Sequence, residues 1–276
     1  VHKGQNLVRR SGDDASGQFE AVFLTAQEAG AWLQDAGSVV VALGKENGKD
    51  YYALDVSHME EPPAMSGGEE FVQLRSVGGI LTRDLDAGLL AAARGTTVWH
   101  RSLKFCSRCG SGDLGPHRAG TGRKCGGCGQ SFYPRVDPSV IVLVESPEGS
   151  HALLGRKEAW PPGQYSTLAG FTEIAESLEE TLLREVHEES GVRVARESIR
   201  YASSQPWPFP RSLMVGFFAV AEGQGLPAIA VDEEEMDDVR WFSREEVLRA
   251  LRGQAGPADV LQKVPGKAAV AHRLIA

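Results

Sequence analysis

Residues Ala169–Val192 read AGFTEIAESLEETLLREVHEESGV. At about 100° per residue, Glu185, Glu188 and Glu189 fall on one face of a helix, with Leu182, Leu183 and Val186 about a third of a turn away. Separate acidic and apolar faces are therefore expected. Carboxylates crowded in this way repel one another and stay ionised only when solvated or bound to a cation. A hard divalent ion with oxygen ligands meets that need. A solvated acidic face is the commoner meaning of a charge run, so charge alone leaves both readings open.

Spacing separates them. Gly170 is followed after five residues by Glu176, then after seven by Arg184-Glu185-Val186, and then by Glu188-Glu189 and Gly191-Val192 with one residue before each pair. This pattern of seven fixed and two aliphatic positions resembles, at every position, the Nudix box G-x5-E-x7-R-E-U-x-E-E-x-G-U, in which U is aliphatic. Ala175 departs from the glycine usual before the first glutamate, a change that stiffens the loop and removes no ligand. The resemblance implies a loop-helix-loop within an α/β/α sandwich. It further implies Mg²⁺ or Mn²⁺ held by Glu185 and Glu189, supported by Glu188 and completed by the backbone carbonyl of Ala169. Arg184 is expected to orient the cluster through an i, i+4 pair with Glu188, and Glu176 to brace the loop. Glu185 and Glu188 both stand as candidates for the general base.

Downstream lies Ser204-Gln205-Pro206-Trp207-Pro208-Phe209-Pro210-Arg211-Ser212. Prolines alternating with aromatics give a rigid, extended loop, since each ring fixes φ and removes a donor. Taken alone this is a proline-rich surface turn or a ligand for a partner domain. After the box, it resembles the SQPWPFPxS signature of the NADH pyrophosphatase branch of Nudix enzymes. Gln205, Trp207, Phe209 and Ser212 are then expected to shape a nucleotide pocket. The resemblance also makes Glu235, six residues before Trp241, a further metal ligand, although Glu233 and Glu234 beside it read equally well as a solvated acidic loop. It places the backbone near Ala271, in a C-terminal helix, against the adenine, and offers Tyr133 as a stacking platform, with packing between modules as that residue's plainer meaning.

All four cysteines, Cys106, Cys109, Cys125 and Cys128, fall in two C-x-x-C pairs fifteen residues apart. Two thiolate pairs on tight knuckles can converge on one tetrahedral zinc, and four thiolates leave no open position for water. A structural zinc ribbon is expected, with Gly110 and Gly129 turning backbone N–H groups toward sulfur. Three regions follow: residues 1–100, a mixed α/β domain that resemblance makes a divergent Nudix-like module aiding homodimer formation; 101–135, the ribbon; and 136–276, the catalytic α/β domain. Within the first, Val39–Leu43 and Tyr51–Leu54 look like strands, and Asp84–Gly95 like a helix stopped by glycine.

The 276 residues carry a net charge of −8, which argues against binding a polyanion across a broad basic face. No apolar run approaches the roughly 20 residues of a membrane span, and no signal-peptide pattern opens the sequence, so a cytoplasmic, soluble protein is expected. The resemblance implies metal-dependent hydrolysis of NAD(H) to nicotinamide mononucleotide and AMP, with NAD-capped RNA as a second substrate. A broader dinucleotide pyrophosphatase acting on ADP-ribose, FAD or diadenosine polyphosphates is the enzymatic alternative. A non-catalytic Nudix regulator is the rival of another class.

Overall fold

A computed structural model describes residues 1–11 and 17–276. The chain divides into two compact units, one comprising Val1–Arg135 with Pro208–Arg211, the other Val136–Trp207 with Ser212–Ala276.

In the first unit the chain runs through β1 (Asn6–Arg10), β2 (Phe19–Ala21), a short α1 (Gly30–Leu33), β3 (Val39–Glu46), β4 (Lys49–Asp55), β5 (Glu69–Val72), α2 (Leu74–Val77) and α3 (Asp84–Ser102). β1 pairs antiparallel with both β2 and β5, while β3 and β4 form a separate hairpin. Gly95 does not end the helix: α3 continues seven residues beyond it. The buried stripe Leu90, Ala93, Thr97 and His100 keeps helical spacing through that point, and burial of this face outweighs the roughly 1 kcal/mol cost of an interior glycine.

The cysteine module follows as β6 (Leu114–His117), β7 (Gly122–Cys125) and β8 (Ser131–Phe132), all antiparallel. It docks on the end of α3. Arg123 Nη1 donates to the carbonyls of His100 (2.8 Å) and Leu103 (2.6 Å), occupying acceptors that a helix terminus leaves open. The His100 ring Nε2 lies 2.6 Å from the Gly120 carbonyl.

The second unit contains β9 (Asp137–Glu145), β10 (His151–Arg156), β11 (Leu168–Phe171), α4 (Leu178–Ser190), β12 (Arg200–Trp207), β13 (Ser212–Val220), β14 (Asp238–Ser243), α5 (Arg244–Leu251) and α6 (Val270–Ile275). Its mixed sheet has the order β12-β13-β9-β10-β14, with β11 also on β9. β13 and β9 are parallel, and the other pairings are antiparallel. β9 alternates with the two-residue period of a strand: Val140, Val142 and Val144 join a core with Leu182 and Val186 of α4, while Ile141 and Leu143 join Val247 of α5 and Leu274 of α6. Helices thus cover both faces of a strand that is apolar on both, giving an α/β/α sandwich.

Candidate active site

α4 opens with a capping box. Ser177 Oγ accepts from the Glu180 N–H at 3.3 Å, and Glu180 Oε2 accepts from the Ser177 N–H at 2.8 Å, which fixes where the helix starts and so which way each later side chain points. The helix closes at Gly191, in the left-handed conformation (φ 71°), whose N–H donates to the His187 carbonyl. The expected separation of acidic and apolar faces does not hold. Glu185 and Glu189 are buried with Leu182 and Val186, and only Glu188 is open to solvent. Leu182 precedes Glu185 by three residues and Val186 precedes Glu189 by three, so each inward carboxylate stacks directly on a core side chain.

The box glycine has a steric reason. A Cβ placed on Gly170 would sit 1.8 Å from the Glu185 carboxyl carbon, so the carboxylate occupies the space a side chain there would fill. The Gly170 carbonyl accepts from Ser139 Oγ at 2.8 Å, which ties this part of β11 to β9.

Arg184 is the hub of the site. Its guanidinium donates to both Glu176 oxygens (2.6 and 2.9 Å), to Glu185 (2.9 Å), to Glu188 (2.8 Å) and to the Phe171 carbonyl (2.9 Å). The fork is thereby used bidentately on Glu176, the strongest arrangement open to it. Arg184 holds the Glu176 carboxyl down to about 2, and Glu176 in turn raises the arginine's own pKa. Thr181 Oγ1 also donates to Glu176, at 2.9 Å. Glu176 therefore locks the loop before α4 to the helix.

Ligand oxygens of Glu185, Glu189 and Glu235 lie within 4.8 Å of one another. Glu189 is 1% exposed, and its Oε2 is a buried acceptor with no hydrogen-bond partner among the described residues. Burial pushes its pKa up to about 8; Lys157, with Nζ 3.9 Å from Oε1, opposes the shift, and the charges of Glu185 and Glu235 add to it. Burial likewise raises Glu185, against the pull of Arg184. A buried carboxylate oxygen left without a donor is costly, and a divalent cation with oxygen ligands removes that cost for all three groups at once. The donor set fits such an ion. Glu235 reaches the group from the turn before β14, where Met236 is buried beside it and Glu233 and Glu234 remain exposed.

The SQPWPFP segment is not one extended loop. Gln205, Pro206 and Trp207 lie in β12, and Pro206 is tolerated there because β12 is an edge strand. The turn contains a cis Phe209–Pro210 bond. Gln205 is used structurally: its Nε2 donates to the Ala268 carbonyl (2.6 Å) and its Oε1 accepts from the Val270 N–H (2.8 Å), pinning the start of α6. Ala271 follows, buried in the apolar cluster on that face of the sheet. Trp207 is half-buried opposite Ser212, itself buried, in the β12–β13 register. Phe209 belongs to the first unit, packed with Val8, Phe19 and Leu90 under the Arg94 guanidinium at 4.8 Å. Tyr133, 49% exposed, also lies in the first unit, with Arg118 stacked 5.5 Å from its ring centroid.

In the cysteine module the Cys106–Cys128 and Cys109–Cys125 Sγ pairs are each 3.7 Å apart. A disulfide requires about 2.05 Å. Sulfurs at the corners of a tetrahedron with about 2.3 Å bonds lie about 3.8 Å apart, so the four thiols fit one zinc. Gly110 and Gly129 do have positive φ (74° and 75°), but their N–H groups donate to the carbonyls of Cys106 and Cys125, not to sulfur. Burial pushes the Cys106 thiol up, but the N–H groups of Arg108 and Cys109 together with the Cys109 and Cys128 thiols outweigh it and bring its pKa down to about 7.

Lys157, Ser139 and the Ser177–Glu180 box escape the sequence reading of the site. The capping residues carried a local signal, a serine three before glutamate, whereas Lys157 reaches Glu189 and Ser139 reaches Gly170 only because the sheet brings them there.

Residues 135–264 match the NUDIX domain, and residues 1–99 match the NADH pyrophosphatase-like rudimentary NUDIX domain. The chain is 43% identical over 200 residues to NAD-capped RNA hydrolase NUDT12 of Macaca fascicularis, covering 70% of this chain and 42% of that one. It is 38% identical over 210 residues to NAD-capped RNA hydrolase NudC of Mycobacterium bovis (75% and 64%). With the mitochondrial NAD(P)H pyrophosphatase NUDT13 of Mus musculus the identity is 39% over 279 residues, covering 98% of this chain and 74% of the relative. The chain thus spans less than half the length of the macaque relative and about three quarters of the mouse one. A match to the NUDIX domain that takes in the carboxylate helix, preceded by a match to the rudimentary module, places the chain in the Nudix family, in its NADH pyrophosphatase-like branch.

Proposed function

We propose that this protein hydrolyses the diphosphate bridge of NAD(H) to nicotinamide mononucleotide and AMP, and removes NAD caps from RNA 5′ ends. The observation that carries this reading is the convergence of Glu185, Glu189 and Glu235 around a buried carboxylate oxygen that lacks a donor. The names of the relatives, NAD-capped RNA hydrolase and NAD(P)H pyrophosphatase, support the substrate class.

A diphosphate resists attack because its negative oxygens repel a nucleophile. Glu185, Glu189 and Glu235, with the Ala169 carbonyl, would hold Mg²⁺ or Mn²⁺, which when bound would supply charge neutralisation and lower the pKa of water. Water adds across one P–O–P bond: its oxygen bonds one phosphorus, the bridging oxygen leaves with the other phosphate, and a proton is released. Glu188, solvent-open and steadied by Arg184, is the carboxylate free to accept that proton, whereas Glu185 is committed to the buried group. Arg184 and Glu176 hold the helix and loop in register. Gln205, by fixing the backbone before Ala271, shapes the wall expected to meet the adenine, with Trp207, Phe209, Ser212 and Tyr133 as further substrate-binding candidates. Zinc on Cys106, Cys109, Cys125 and Cys128 is structural in this reading.

We assign a homodimer and a cytoplasmic location to the same reading. No helix among the described residues is long and apolar enough to cross a membrane. Light scattering on the purified protein tests the dimer. For activity, the protein is incubated with Mg²⁺ or Mn²⁺ and NADH, ADP-ribose, FAD, diadenosine polyphosphate or NAD-capped RNA, and products are separated by chromatography. NADH and the NAD-capped RNA turn over fastest. Equal rates on all five defeat the NAD(H) assignment.

A further inference from the structure

Lys157 stands immediately after β10, with its Nζ 3.9 Å from Glu189 Oε1 and no other ion pair or hydrogen bond from its ammonium among the described residues. That separation makes an ion pair but is too long for a hydrogen bond, so the three donors of the ammonium are unused within the protein. The side chain is half-exposed beside a fully buried carboxylate, which puts the charge where the carboxylate cluster meets solvent. Arg184 differs: its guanidinium is spent on Glu176, Glu185, Glu188 and the Phe171 carbonyl. The backbone beneath Lys157 is held from several sides. Arg156 faces Asp238 in the β10–β14 register, and its carbonyl accepts from the Asp237 N–H at 3.0 Å. Its guanidinium pairs with Asp237 and donates to the Trp160 carbonyl at 3.1 Å. The Trp160 N–H closes a turn on the Lys157 carbonyl at 2.9 Å, and Pro161 and Pro162 follow. Asp237 lies two residues after Glu235, so the same contacts fix Lys157 and the third carboxylate relative to each other.

We infer that Lys157 is a substrate-binding residue, whose ammonium takes a non-bridging oxygen of the diphosphate gathered at Glu185, Glu189 and Glu235. The inference deepens the proposed function and rests on it. Both phosphoryl groups of a dinucleotide bridge are negative, and further charge develops on the leaving phosphate as the bridging bond breaks. A divalent ion on three carboxylates has its charge already offset, and Arg184 is committed to the protein, so the substrate calls for a cation that is still free. A lysine ammonium meets phosphate as a compact point charge on a flexible stem. A cation bound at Glu189 also repels the ammonium from that carboxylate, which drives it toward the incoming phosphate oxygens. The ion pair with Glu189 is then the resting position of a group whose working partner is the substrate.

The test compares the parental protein with Lys157→Met, which keeps an unbranched stem without charge, and Lys157→Arg, which keeps the charge. Thermal melts check that each fold is kept, and NADH turnover is measured at saturating Mn²⁺. In Lys157→Met, kcat/KM is expected to fall about tenfold to a hundredfold, the worth of one hydrogen bond to a charged group. Lys157→Arg is expected to recover it to within about fivefold of the parental value, because the charge remains while the donor geometry changes. Calorimetric binding of methylenediphosphonate with Mg²⁺ gives a readout without turnover, since the probe has two phosphorus centres and no cleavable bridge. Its affinity is expected to weaken by about tenfold or more in Lys157→Met. Unchanged kcat/KM and probe affinity overturn the assignment of Lys157, and NADH hydrolysis by the parental protein then leaves the proposed function standing. A loss in Lys157→Met that vanishes as Mn²⁺ is raised shows the lysine acting on Glu189 and the metal, and it overturns the assignment as well. If the parental protein hydrolyses no dinucleotide, the proposed function falls and the probe decides alone: weaker binding by Lys157→Met supports the diphosphate contact, and equal binding, or none by the parental protein, overturns it.

Discussion

Glu189 is buried almost completely and still keeps an oxygen without a donor among the described residues, an arrangement that serves metal binding better than it serves folding. Glu189→Gln keeps shape and volume while removing that charge. Turnover of NADH is expected to fall by about two to three orders of magnitude, the loss seen when a group placed against developing charge is removed. A melting temperature equal to or above the parental one is expected in chelator at a pH above about 8, where Glu189 is ionised and a neutral amide is less costly to bury than the carboxylate. A Glu189→Gln protein that turns over at the parental rate refutes the metal assignment. Gly170 gives a second test at this scale. An added methyl would occupy the place of the Glu185 carboxyl, so Gly170→Ala is expected to weaken Mn²⁺ binding, measured by paramagnetic resonance titration, more than it lowers thermal stability. Unaltered Mn²⁺ affinity would show that Glu185 can be held elsewhere.

At the scale of elements, α3 and the cysteine module share a seam at His100, buried against the Gly120 carbonyl. Burial lowers the pKa of His100, and the nearby Arg123 charge adds to this while the Gly120 bond opposes it. A histidine whose folded pKa lies below its unfolded value of about 6.5 contributes stability that is present above that value and lost as pH falls through the folded pKa. Stability from denaturant titration should therefore drop as pH falls below about 6.5, and His100→Gln should flatten that drop; an identical slope in both proteins removes His100 from the account. The helix was legible in its first half, where Leu85, Leu89, Leu90 and Ala93 carry the apolar rhythm. Its continuation past Gly95 was not, because the faces that bury Thr97 and His100 come from segments distant in sequence. The same division runs through the site. Glu185, Glu188, Glu189 and Arg184 lie within one and a half turns and could be placed from spacing alone. Their unequal burial and the approach of Lys157 depend on the sheet, which periodicity does not describe.

At the scale of the whole chain, the sequence reads as consecutive segments, but the compact units do not respect that order: the first takes in Pro208–Arg211 from between β12 and β13. Within that unit Arg94 Nη1 donates to the Pro208 carbonyl at 2.6 Å, and Phe209 fills a cluster with Val8, Phe19, Leu74, Val77 and Leu90. A motif read from resemblance as a nucleotide-binding loop thus supplies core to the first unit as well. Phe209→Ala separates the two roles. Phe209 is half-buried, so a loss of about 2 kcal/mol of stability is expected, somewhat below the 3–5 kcal/mol typical of a fully buried phenylalanine. Arg94→Ala, which removes both the stacked guanidinium and the bond to Pro208, should reproduce part of that loss without touching an aromatic ring. Denaturant unfolding gives the stability change, and KM for NADH gives the change in binding. If Phe209→Ala raises KM by an order of magnitude while the unfolding midpoint holds, the ring serves the nucleotide and its place in the cluster contributes little. If the midpoint falls in both variants and KM is steady, the turn belongs energetically to the first unit, and its aromatic residue is there to hold that unit's core together.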